Sequence, residues 1–112
     1  MKASNRPDHR ALAEVLRRRV LEGPGETRPQ VRQAVAQRAA GGPPSGSAFD
    51  ELARQVGEAA HRVTDAQVGS VLTATGSEKA TFEIVVAAAL GAGLSRWQLA
   101  MKALDEATNA AS

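Results

Sequence analysis

Residues 77–104 read SEKATFEIVVAAALGAGLSRWQLAMKAL, and this stretch decides the fold class. From Ile84 to Leu90 it is apolar on nearly every side, which in a helix marks a segment surrounded by protein. Phe82, Val86, Ala89, Gly93, Trp97, Ala100 and Leu104 recur every three or four residues, a helical period that passes straight through Gly91 and Gly93. The same glycines could instead close one helix, with Ser95 and Gln98 opening another. The unbroken stripe favours a single helix over about 78–107, roughly 45 Å long at 1.5 Å per residue.

Working back from there, Gly76 stops a shorter helix carrying Val68, Val71 and Leu72. Its start is the sharpest local signal: Thr64 with Gln67 forms a capping box, and Val63 with Val68 fills the two positions of a hydrophobic staple. Phe49, Leu52, Ala53, Val56 and Ala60 share a face of a helix that Ser47 opens, with Asp50 in its first turn, and that ends near His61. Gly41 to Gly46 reads as a Gly/Pro linker. Before it, Thr27 and Gln30 suggest a second capping box, with Pro29 in the first turn and Val31, Val35 and Ala39 on one face. Leu12, Val15, Leu16 and Val20 mark the first helix, over about 8–22, closed by Gly23-Pro24-Gly25. The expectation is an all-α, compact single domain over 1–112, with five to six helices, a long C-terminal helix and a flexible start over 1–7. No alternation of the β type appears.

Composition narrows the function. Of 112 residues, 43% are hydrophobic but only 3% aromatic, so Ala, Val and Leu must supply the buried surface. Such a core favours close helix packing and makes burial against a partner subunit attractive. Cysteine is absent, which removes thiolate chemistry and disulfides. No signal-type segment and no run of about 18 apolar residues stand out, so a cytoplasmic protein without membrane contact is expected. Residues 1–40 hold nine Lys/Arg against four Asp/Glu, while 41–112 hold five against eight, giving a front of +5 and a back of −3. That asymmetry suits a basic front packed on an acidic back, within one chain or between two; nucleic acid is the less favoured reading because no aromatic residues interleave the cations.

Catalytic patterns are sparse. His9 and His61 stand alone, without the spacing that binds a metal, so no metal or cofactor is expected. Ser47, Ser77 and Ser95 all read as helix caps, and none has the glycine pattern of a nucleophile elbow. His61, at a helix end, suits a contact with the helix dipole. Glu83, between Phe82 and Ile84, is either solvated near the helix start or paired across to another element. Gly91-Ala92-Gly93 suggests close approach of another backbone.

Arg62-Val63-Thr64-Asp65-Ala66-Gln67-Val68, followed by Gly76 to Ala89 and then Arg96 and Leu99, resembles the carboxymuconolactone decarboxylase / alkylhydroperoxidase-D-like superfamily over residues 49–104. The resemblance implies an all-α, commonly oligomeric protein. The redox branch of that group works through a Cys-x-x-Cys pair with a nearby His and Glu, and no position here inherits the thiol role. The expectation is a divergent, non-catalytic homo-oligomer whose interface includes Val86, Ala89, Leu90, Gly93, Trp97 and Met101. Two alternatives stay open: a cysteine-free decarboxylase-like enzyme using His61, Glu83 and Arg96, or nucleic-acid binding through the basic first helix.

Overall fold

The computed structural model describes residues 8–111, so the flexible start expected over 1–7 lies outside the described residues. The described chain is all α: α1 (His9–Glu22), α2 (Pro29–Ala39), α3 (Asp50–Ala59), α4 (Asp65–Thr75) and α5 (Glu78–Ala111), with a 3-10 turn at Ala60–Arg62 between α3 and α4. The stripe reading of the C-terminal segment holds, and α5 is one helix of 34 residues. At 1.5 Å per residue it is about 51 Å long. That length nearly matches the 53 Å longest dimension of the molecule.

The core is thin because its side chains are small. Leu52, Val71 and Ile84 are its largest fully buried members, packed among Val35, Val56, Leu21 and six alanines. Side chains that small let helix axes come close. α2 packs on both α3 and α5, and its carbonyls set how near each comes to it. A Cβ at Gly57 would collide with the Ala39 carbonyl, and one at Gly91 with the Ala36 carbonyl. The close backbone approach expected at Gly91 is therefore to α2 of the same chain, and Ala87 and Ala88 are buried on the same inner side.

Local signals account for most helix ends. Asp8 caps α1 by accepting from the backbone N–H groups of Arg10 and Ala11. Thr64 and Gln67 form the expected capping box, Val63 and Val68 pack on the core, and Gly76 ends α4 at φ 74°, a left-handed conformation that suits glycine. Gly41 to Gly46 contains no helix but is fastened at both ends. Arg38 donates to the Gly42 carbonyl, and the Asp50 carboxylate accepts from the Ser45 and Gly46 N–H groups.

Three sequence expectations need correction. Ser47 does not cap α3: the N-cap is Phe49, without a side-chain bond, and the Ser47 hydroxyl accepts from the Phe49 N–H in the turn before the helix. The capping box at Thr27 and Gln30 does not form; Arg28 occupies the N-cap without a side-chain bond, because the Thr27 hydroxyl is taken by the Glu83 carboxylate. Ser95 caps nothing, since α5 runs through it.

By length and composition α5 would also reach across a bilayer, with a mean hydropathy of 1.4 over 18 residues, of which 22% are buried. Here its inner side packs on α2, α3 and α4. Beside it, α1 carries the ionic cluster of Glu14, Arg17, Arg18 and Glu22.

Candidate interaction surface and polar sites

The three acid-base and anion-binding candidates occupy different places. His61 is exposed in the 3-10 turn. Glu83 and Arg96 are 13 residues apart on α5, about 20 Å along its axis. They border separate cavities: Glu83 lies with Arg19, Val20 and Phe82, whereas Arg96 lies with Arg38, Arg54 and Glu58. Arg96 donates to the Gly57 carbonyl, which ties the end of α3 to α5. Among the described residues, no group of three His, Asp or Glu side chains is placed to share a metal ion.

Glu83 is neither merely solvated nor a free base. One carboxylate oxygen accepts from the Glu26 N–H at 2.9 Å, and the other from the Thr27 N–H at 2.9 Å and the Thr27 hydroxyl at 2.6 Å. Burial pushes its pKa up, but the Thr27 hydroxyl, the two backbone N–H groups and the Arg32 charge together outweigh burial and hold it at about 2. Gly25 leaves the carboxylate its room, since a Cβ there would lie 2.8 Å from both oxygens. A carboxylate used this way is a strut, not a proton carrier.

Sequence reasoning missed the cation on the other side of this knot. Arg32 is 3% exposed and donates to the carbonyls of Val20 and Gly23 at 2.5 Å and of Thr27 at 3.3 Å, closing the end of α1 and the following loop. The available signal was position: at 100° per residue, Arg32 falls on the same face as Val35, Ala36 and Ala39. A cation there needs buried partners.

The basic first helix answers two of its four arginines itself and a third through α5. Arg17 pairs with Glu14 at 2.8 Å and Glu22 at 2.9 Å, and Arg18 with Glu14 at 3.1 Å, while Arg10 reaches Asp105 at 2.9 Å. The Arg17 and Arg18 guanidiniums bring the Glu14 carboxyl down to about 2 against the opposing effect of burial. The Arg10–Asp105 pair joins the basic front to the acidic back.

What the chain leaves uncovered is apolar and large. Phe82 is 67% exposed, Leu104 58% and Leu12 57%, and Val15, Leu16 and Leu99 are also open. On α5, Ala89, Gly93 and Ala100 are exposed, and Val86, Leu90, Trp97 and Met101 are half-buried. Between α1 and the C-terminal half of α5, a cavity of about 430 Å³ is lined by Ala13, Leu94, Trp97 and Met101 together with charges of both signs, Arg17, Lys102, Glu14 and Glu106 among them.

No protein-family model, curated protein sequence or solved structure matches the chain.

Proposed function

We propose that the chain works as a homo-oligomer, most simply a two-fold dimer, that buries the outer face of α5 and acts through its interactions rather than through chemistry of its own. The scaffold belongs, in this reading, with the alkylhydroperoxidase-D-like group that residues 49–104 resemble. One observation carries the proposal: Phe82, Leu104, Leu12, Val15 and Leu16 stand open to solvent on two helices that also pack together. Contiguous exposed patches of large side chains are uncommon on monomers and mark contact sites.

A second copy suits this face better than a partner of one charge sign. Its borders carry Arg10, Arg17 and Lys102 beside Glu14, Asp105 and Glu106, three charges of each sign, as a surface that meets its own copy can carry. The cysteine-free enzyme gains no support from the separate positions of His61, Glu83 and Arg96, and nucleic-acid binding gains none from Arg17 and Arg18, whose charges Glu14 and Glu22 already answer.

Light scattering after gel filtration tests the proposal. At micromolar concentration the mass is expected at twice the 11.7 kDa of one chain, or a higher multiple. A stable monomer overturns it, and a monomer that partitions onto neutral phospholipid vesicles would identify lipid as the cover instead.

A further inference from the structure

Resting on that dimer reading, we infer that two copies of α5 pack antiparallel with the two-fold axis at Gly93. The outward stripe is Phe82, Val86, Ala89, Gly93, Trp97, Ala100, Leu104, exposed except at the half-buried Val86 and Trp97, and its intervals of four, three, four, four, three and four residues read the same in both directions. Turning one helix end over end about Gly93 lays Ala89 on Trp97, Val86 on Ala100 and Phe82 on Leu104, with Gly93 on itself. Two of these pairings set a small residue against a larger one, the alternation by which facing helices interdigitate. The stripe spans two repeats of 11 residues, or about 3.67 residues per turn, close enough to the helical 3.6 to run nearly straight. The seven positions fall within an arc of about 80° over roughly 33 Å.

Gly93 is the second observation. A glycine inside a helix costs about 1 kcal/mol relative to alanine. Gly91 has a reason within its own chain, because α2 leaves no room for a Cβ, but a Cβ at Gly93 would meet nothing within 4 Å. The isolated chain therefore gives Gly93 no task. At a two-fold axis the missing side chain lets the two backbones approach, and the half-buried Trp97 gains the exposed Ala89 of the other copy as its seat.

The absence of cysteine makes single-cysteine cross-linking clean. A disulfide needs Cα atoms within about 7 Å. In this register Gly93→Cys links to itself under mild oxidation, and a mixture of Val86→Cys with Ala100→Cys links across. Ala89→Cys and Ala100→Cys alone do not, since each lies at least about 12 Å along the axis from its own copy. Yields of covalent dimer at least tenfold higher for Gly93→Cys and for the mixture than for Ala89→Cys alone are expected. If the unmodified chain is dimeric by light scattering and Ala89→Cys or Ala100→Cys links to itself as well as Gly93→Cys does, the register is wrong while the dimer stands. If the unmodified chain is monomeric, both fall. Should Gly93→Cys loosen the dimer by its bulk, the Val86→Cys and Ala100→Cys mixture still decides.

Discussion

Glu83→Gln keeps the shape of the side chain and removes the charge that three donors converge on. Hydrogen bonds to a charged group contribute about 1.5–3 kcal/mol each, and neutral ones about 1. Glutamine can still accept from Thr27 through its one carbonyl oxygen, but its amide turns a donor toward the Glu26 N–H, which now loses its 2.9 Å acceptor. The expected cost at pH 7 is therefore about 2–3 kcal/mol. The charge's own share of that cost can be approached through protonation. A carboxyl held at about 2 in the folded chain and at 4.5 when unfolded stabilises the fold above pH 4.5, where both states are ionised. As pH falls from 4.5 towards 2 the unfolded chain takes up the proton first, and the stabilisation is lost. Converted directly, the shift corresponds to roughly 3 kcal/mol, and partial solvent exposure reduces this to roughly 1–2. Urea melts of both proteins at pH 7 and pH 2.5 provide the assay. The Glu14 carboxyl is held at about 2 as well, and those of Asp50 and Glu51 are also lowered by their hydrogen bonds, but all three are common to both proteins, so the informative quantity is the gap between them. That gap should be large at pH 7 and shrink at pH 2.5. An unchanged midpoint at pH 7 with equal slope, or a gap that ignores pH, would refute the strut.

Gly91→Ala should destabilise by about 2 kcal/mol in denaturant melts, the clash with the Ala36 carbonyl exceeding the gain in helix propensity; equal or greater stability would mean that α2 and α5 are further apart than described. Thr64→Ala removes the bond to the Gln67 N–H and should cost about 1 kcal/mol, read from the midpoint at constant slope. Ala89→Arg puts a charge on the exposed face of α5, so light scattering should give a monomer whose circular dichroism remains helical; an intact dimer would place the interface elsewhere.

The fold was legible where its determinants are local. The stripe from Phe82 to Leu104 overrode the glycine punctuation because an unbroken apolar period outweighs the small cost of a glycine within a helix. Thr64, Gln67 and Gly76 were readable because each acts on backbone within a turn of itself. The Glu83 knot was not, since its donors lie 56 and 57 residues away and one of them, Thr27, wore the pattern of a capping box. Nor could sequence tell Gly91 from Gly93. Two positions apart they project roughly 160° from each other, so α2 presses on one and leaves the other in the open. The candidate trio failed for a related reason: residue types suited to catalysis were named without any constraint that brings them together.

The alanine and glycine lining of the core has a consequence for how the protein tolerates change. Most mutational damage to protein interiors comes from truncation, which leaves a void. At Ala36, Ala39, Ala53, Ala87, Ala88 and Gly91 there is hardly anything left to truncate, and the harmful direction is growth. A single added methyl must push two backbones apart rather than settle into a gap. The interior is thus vulnerable to loss at only a few positions, Leu52, Val71 and Ile84 first among them, and brittle toward gain at nearly all the others, so the places where variation is most restricted are those with the least side chain to see.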